Sequence, residues 1–295
     1  MVFLDPLSDI AFKKLFGDQA KKSILMSFLN SVLGRVEGEK IIDVTITDPY
    51  NNPDTAWLKI SIVDVRCVDQ SGKHYIVEVQ ARAQDYYPAR SQYYASLAIA
   101  RQLEKGNHYK EIEPVIFIGI LGFSRFASPD CISHHKILDI KTHEHALKHL
   151  EFHFVELTKF TKKLEELETI VDKWLYLLAH ATELQKIPSQ FKNPAELEDA
   201  MDALEQGNMS PAELDAYDRF LDAQRVEFDV LETANRIARE KGLAEGLAEG
   251  LAEGKVEGKT EAQQAIARKM LSKMSVAEIS EMTGLSIQDI EALKS

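Results

Sequence analysis

Two cysteines in 295 residues are too few for a disulfide framework, and neither Cys67 nor Cys131 sits in a CxxC pair. A disulfide-stapled secreted domain is thereby excluded, and a reducing, cytoplasmic setting is the expectation. Long apolar runs are missing as well: no segment approaches the roughly 20 residues of a membrane span. The opening MVFLDPLSDIAFKK mixes acids with its apolar residues, so neither a secretory leader nor a membrane partner is expected. Surplus positive charge is also absent, since 35 Lys and Arg face 47 Asp and Glu for a net charge of −12. At first sight that argues against a nucleic-acid binder. Up to Arg125, however, 15 basic residues balance 15 acidic ones, and the remaining 20 basic and 32 acidic residues carry the whole deficit. A neutral front part can still bind phosphate through local cations and metal ions.

What is present is a mixed pattern of helices and strands. SDIAFKKLFG offers Ser8 as a cap, an apolar stripe of Phe12, Leu15 and Phe16, and Gly17 as a stop. KKSILMSFLNSVLG places Ile24, Leu25, Phe28, Leu29 and Val32 on one helical face and ends at Gly34. Strands are expected at IIDVTI, WLKISIVDVRCV and HYIVEVQA, the last two joined by a turn at Gln70-Ser71-Gly72-Lys73. A helix over about Pro88 to Glu104, closed by Gly106, leads to PVIFIGIL, apolar throughout like a central strand covered on both faces. FHFVEL reads as a further strand. This order gives the α/β class, a mixed sheet flanked by helices.

From about Thr161 the period turns helical, with Leu164, Leu167, Ile170, Val171, Trp174 and Leu178 on one stripe. Ser210-Pro211-Ala212-Glu213 is a capping box that starts a long helix. Gly242, Gly246, Gly250, Gly254 and Gly258 then recur every four residues. Each glycine costs a helix about 1 kcal/mol relative to alanine, so the segment is either a tether or a helix ordered by close packing. The tail holds two cap signatures, Ser275 with Glu278 and Ser286 with Asp289, around Thr283-Gly284-Leu285. Two short helices about a tight turn resemble a DNA-reading helix-turn-helix, but IQDIEALK carries two acids and one lysine, which suits a packing or assembly element better.

The chemistry concentrates in two acids among β-formers. Side chains alternate along a strand, so Leu58, Ile60, Ile62 and Asp64 share one face, and Ile76, Glu78 and Gln80 share another. A hairpin between these runs lets Asp64, Glu78 and Gln80 converge. Two carboxylates held together repel unless one is protonated or a cation lies between them, and a hard cation such as Mg²⁺ or Mn²⁺ suits oxygen ligands. Structural alternatives stand beside this reading. The acids can form buried ion pairs with Arg66 or Arg90, and Asp9 can be a first-turn acid favoured by the helix dipole. Lys13 and Lys14 read as a solvated helix face. His145, His149 and His153 are four apart, but EFHFVEL alternates like a strand, which breaks a helical zinc site at His153.

Asp64 followed after a turn by Glu78-x-Gln80 resembles the PD-(D/E)XK nuclease signature with glutamine at the lysine position. The flanking text DIAFKKLFG, VDVRC, YIVEVQ and PARSQYYASLAIARQLEKGNHYKEIEPVIFIGIL narrows this to a resemblance to the Rpn family of recombination-promoting nucleases, PD-(D/E)XK transposase-like proteins. The resemblance runs from Asp9 to about Phe160, and the glycine-repeat tail is similar to that family's C-terminal arrangement. It implies a restriction-endonuclease-like core with an α-helical C-terminal region, and Mg²⁺-dependent endonuclease hydrolysis of DNA in recombination, mobile-element or phage-defence settings. Asp64, Glu78 and Gln80 would be catalytic, Asp64 and Glu78 would hold the metal with Asp9 as a further acid, and Arg90 and Tyr94 would support the site or bind phosphate. A degenerate nuclease fold that binds DNA or protein is the alternative. The expected organisation is a nuclease-like domain over 1–160, a helical region over 161–240, the repeat over 241–262 and a helical pair over 263–295. The helical C-terminal region is the expected seat of homo-oligomerisation.

Overall fold

A computed structural model of the chain describes residues 1–47, 50–51, 61–103 and 108–293, and of residues 50–51 and 61–62 the backbone alone. In chain order the elements are α1 (Asp9–Phe16), α2 (Lys22–Val32), β1 (Val44–Thr47), β2 (Tyr50–Asn51), β3 (Ser61–Ile62), β4 (Val65–Asp69), β5 (His74–Gln80) and α3 (Tyr87–Ala100). Then follow β6 (Val115–Leu121), β7 (Ile132–Ile137), β8 (Leu147–Glu156), α4 (Ile170–His180), α5 (Ala195–Leu204), α6 (Pro211–Met270), α7 (Val276–Thr283) and α8 (Ile287–Ala292). The chain divides into two units, Met1–Phe220 and Leu221–Ser295.

The first unit is built on a six-stranded mixed sheet in the order β1-β4-β5-β6-β8-β7, with β2 and β3 paired apart from it. β5, β6 and β8 run parallel, and β1, β4 and β7 are antiparallel to their neighbours. Every residue of β6 is buried, as its unbroken apolar run requires of a central parallel strand. The β4–β5 turn is closed by Asp69, whose Oδ1 accepts from the amides of Ser71 and Lys73. Gly72 takes a φ of +88° there, a conformation that excludes side chains more readily than it does glycine.

α3 covers one face of the sheet. Pro88 sits in its first turn, where a missing N–H costs nothing, and Tyr87, Ser91, Ala95 and Ala98 are buried one turn apart. The small residues in that row let the helix approach Val115, Phe117 and Phe154 closely, in a core that also includes Val63 and Ile76. α1 and α2 form as the stripe predicts, with Ser8 Oγ accepting from the Ala11 amide at 3.3 Å. Phe16, Phe28 and Trp174 meet with ring centroids 4.8–6.0 Å apart. Burying each such ring contributes on the order of 2–3 kcal/mol. α4 therefore belongs to the same packed body as α1 and α2.

Several expectations are corrected. The run WLKISIVDVRCV is not one strand: Val63 and Asp64 interrupt it, and β3 and β4 belong to different sheets. Aspartate is disfavoured within a ladder, and Asp64 uses its carboxylate on a neighbouring strand instead. The row of Leu58 and Ile60 lies outside the described residues, as do Glu104 and Gly106, and the side chain of Ile62 is not described. The helix expected from Thr161 starts at Ile170, because Thr169 and Asp172 close a capping box there; Leu164 and Leu167 precede it. β7 adds an edge strand over ISHHKI, whose polar residues hide it from a hydrophobicity pattern.

In the second unit the glycine repeat is part of the continuous helix α6, and nothing described lies within 4 Å of a Cβ placed on Gly242, Gly246, Gly250, Gly254 or Gly258. The end of α6 packs with α7 and α8 through Ala267, Ile279, Leu285 and Ile290. Ser275 and Ser286 cap the two short helices and Gly284 turns between them at φ +71°, as the cap signatures predict. Both cysteines are free thiols. Among the described residues no helix is long and apolar enough to cross a membrane.

Candidate active site

Three elements assemble the acids. The β4–β5 ladder ends at the pair Val65↔Val77, so Asp64 lies one residue past it, level with Glu78. There Asp64 Oδ2 accepts the Val79 amide at 2.7 Å, taking the place of a ladder partner. Glu78 and Gln80 project from the same face of β5. α3 brings Arg90 over that face: Nη2 donates to Glu78 Oε1 at 2.7 Å and to Gln80 Oε1 at 2.5 Å, and Nη1 donates to Gln84 Oε1 at 2.8 Å. The ion-pair expectation is thus met by Arg90 for Glu78, and the catalytic expectation's three residues share one small volume.

The electrostatics of this cluster are unusual for acids. Burial pushes the Asp64 carboxyl up to about 6, with the Val79 amide opposing the rise and the charge of Asp9 adding to it. Burial likewise pushes Glu78 up to about 7; Arg90 pulls it down and Asp64 pushes it up. Desolvation therefore outweighs the ion pair at Glu78. Its Oε2 is buried without a hydrogen-bond partner, which is costly for a carboxylate oxygen.

An orphaned carboxylate oxygen beside a second carboxylate is a donor set suited to a hard divalent cation. Asp64 and Glu78 would hold it. Among the described residues no three His, Cys, Asp or Glu side chains form a ready-made cage. Mg²⁺ needs none, because it takes one or two carboxylates and completes its shell with water and phosphate.

The supporting residues are placed less evenly. Arg90 Cζ stands 5.1 Å from the Tyr87 ring centroid and 6.0 Å from that of Tyr94, so Tyr94 touches the site through Arg90. Asp9 is exposed at the start of α1 and reaches the two acids by charge alone. Sequence reasoning missed Tyr87, which is buried, has an unpartnered hydroxyl, and feels the Glu78 charge. It also missed Gly119, the β6 residue paired with Glu78, where a Cβ would stand 2.4 Å from Tyr87 Oη. Lys13 is exposed, as a solvated helix face requires, and its charge lowers the pKa of Asp64. Lys14 pairs with Glu213 at 2.8 Å. The histidine series is broken as expected, because His149 and His153 lie on β8, where His153 Nδ1 meets His134 Nδ1 at 2.5 Å.

A family model described as PD-(D/E)XK nuclease family transposase matches residues 6–234. The match extends past Phe160 through α4, α5 and the start of α6, further than the motif text reaches. Comparisons with curated proteins and with solved structures give no match.

Proposed function

The chain belongs to the PD-(D/E)XK nuclease family transposases, and on that premise we propose that it is a metal-dependent endonuclease that hydrolyses phosphodiester bonds in DNA at Asp64, Glu78 and Gln80. The observation that carries this reading is the level placement of two carboxylates, Asp64 half-buried just before β4 and Glu78 buried on β5 with one oxygen unpartnered. In the reaction a water oxygen bonds to phosphorus, the bond from phosphorus to the leaving sugar oxygen breaks, and the proton given up by water passes to solvent or to the leaving oxygen. Mg²⁺ or Mn²⁺ bound at the two acids would polarise the phosphate and lower the pKa of the attacking water.

This chain's residues have separate tasks around that step. Asp64 is fixed by the Val79 amide. Arg90 fixes Glu78 and Gln80 together, so that the Gln80 amide nitrogen is left to orient water. Asp9 adds negative charge on the side of Asp64, and Tyr94 limits how Arg90 can move. Homo-oligomerisation is assigned to α6, where Leu243, Leu247 and Leu251 are exposed four residues apart; the light-scattering mass of the full chain tests it, and a monomer ends it.

Plasmid cleavage in Mg²⁺ or Mn²⁺ tests the activity, with Asp64→Ala, Glu78→Ala and EDTA as controls. Cleavage lost in all three supports the enzyme. A second reading, a degenerate fold that binds DNA without cutting it, is favoured by Gln80 standing at the lysine position of the PD-(D/E)XK signature. Silence of the wild type in both metals together with retardation of DNA in a gel would select it.

A further inference from the structure

Two buried oxygens beside the acids have no hydrogen-bond partner, Glu78 Oε2 and Tyr87 Oη. The sheet places them next to each other. Tyr87 Oη lies over Gly119, the β6 partner of Glu78, where any Cβ would collide with it. Neighbouring strands stand about 4.8 Å apart, so the hydroxyl is within a side chain's reach of the Glu78 carboxyl. Arg90 joins the two residues a second time. It bonds Glu78 Oε1 at 2.7 Å and stands 5.1 Å from the Tyr87 ring centroid.

The rest of the surroundings does not occupy the phenol. Phe123 and Phe154 meet its ring edge to face at 6.4 and 6.1 Å and offer no acceptor. Farther along the same row, beyond Phe154, Ser133 is engaged by His135 at 2.9 Å. A buried hydroxyl without a partner costs stability, and phenylalanine would fill the same space without that cost. The oxygen is accounted for by a form of the site in which Glu78 accepts from it.

Resting on the nuclease reading, with its cation at Asp64 and Glu78, we propose that Tyr87 is a positioning residue for the metal-binding carboxylate. Its hydroxyl donates to Glu78 Oε2 when that acid is charged and a divalent cation is held. Arg90 and Tyr87 then fix the carboxylate at both oxygens. A carboxylate oxygen has lone pairs enough to accept this bond and face a cation together. The phenolic proton stays on Tyr87 throughout. Gly119 has its place in the same arrangement, since it keeps the space over β6 open for the hydroxyl.

The test compares the full chain with Tyr87→Phe, using Mn²⁺ as the probe cation. Calorimetry at fixed pH measures Mn²⁺ affinity, with the Asp64→Asn/Glu78→Gln double variant marking binding elsewhere on the chain. Thermal unfolding in EDTA measures the metal-free fold. Tyr87→Phe is expected to weaken Mn²⁺ binding about 10-fold, the lower end of what loss of a ligand-orienting group costs. Without metal the same variant should melt about 2–4 °C higher, because an unpartnered buried hydroxyl has gone. A residue that only fills the core would not move the two readouts in opposite directions. Single-turnover cleavage by the variant should approach the wild-type rate once Mn²⁺ is raised about 10-fold. Equal Mn²⁺ affinities overturn the proposal. So does a variant less stable than wild type in EDTA, because weaker binding would then follow from a loosened fold. If the wild type binds Mn²⁺ at the two acids but cuts nothing, the nuclease reading fails alone, and the affinity ratio still decides Tyr87. A wild type that binds no Mn²⁺ there overturns both.

Discussion

Arg90 Nη2 lies 2.7 Å from Glu78 Oε1, an ion pair whose acid side chain is 8% exposed and whose base is 22% exposed. Removing the base leaves a buried carboxylate with no partner on either oxygen, because Oε2 has none already. Arg90→Ala is therefore expected to destabilise the fold by roughly 2–4 kcal/mol, below or within the range for fully buried pairs. Arg90→Lys should recover part of this but not the fork that joins Glu78 to Gln80 and Gln84. Urea unfolding measures both; a midpoint unchanged in Arg90→Ala would show that the pair contributes nothing.

The pH dependence of stability follows from the same acids. Both have folded-state pKa values above their ordinary ones, Asp64 at about 6 and Glu78 at about 7, chiefly through burial. The folded state thus holds these protons more tightly than the unfolded chain does. The stability this gives is fully present below about pH 4 and is lost as pH rises through about 6 to 7. Each group can account for up to about 3 kcal/mol at about 1.4 kcal/mol per unit, and the two do not add, because each charge raises the other's pKa. Without metal, the stability of wild type relative to Asp64→Asn or Glu78→Gln should fall between pH 4 and pH 8. Parallel curves for wild type and variants would refute the assignment.

A divalent cation should reverse that loss. At pH 8 both carboxylates are largely charged, and a cation bound at them favours the folded state by about 2.7 kcal/mol at a concentration 100 times its Kd. Mg²⁺ or Mn²⁺ is expected to raise the melting temperature of wild type, and EDTA to return it. The Asp64→Asn/Glu78→Gln double variant should not respond. An equal response in the double variant would place the cation elsewhere on the chain.

Most of what positions this site was legible in short sequence patterns. Ser8 and Gly17 bound α1, the turn at Gln70–Lys73 sets the β4–β5 hairpin, and period-two counting puts Glu78 beside Gln80. Other features depended on contacts between distant segments, which periodicity does not encode. β7 carries Ser133, His134, His135 and Lys136 because it is an edge strand, half of whose residues need no burial. Leu164 and Leu167 match the stripe of α4 in period, yet Thr169 offers its side chain to the Asp172 amide and starts the helix after them. Arg90 could be placed on one face with Tyr94, but its three acceptors lie on β5 and in the loop that leads from it to α3.

Gly119 offers a test of how tightly the site is packed from behind. It stands opposite Glu78 in the parallel β5–β6 register, and a Cβ there would lie 2.4 Å from Tyr87 Oη and 2.9 Å from Phe154 Cδ1. Neither neighbour can withdraw freely, since Tyr87 is 1% exposed and Phe154 is 4% exposed. Overpacking of this kind costs about 1–3 kcal/mol, which lowers the melting temperature by about 2–4 °C per kcal/mol in a domain of this size. Gly119→Ala is expected to lose stability in that range, and cleavage as well, because Tyr87 carries the Arg90 guanidinium 5.1 Å from its ring centroid. Tyr87→Phe removes the oxygen nearest the new methyl group. In the double variant part of the loss should therefore return, with the Phe154 contact retaining the remainder. Strict additivity of the two single changes in thermal unfolding would mean that the methyl group does not meet the tyrosine, and that Gly119 has another reason to lack a side chain.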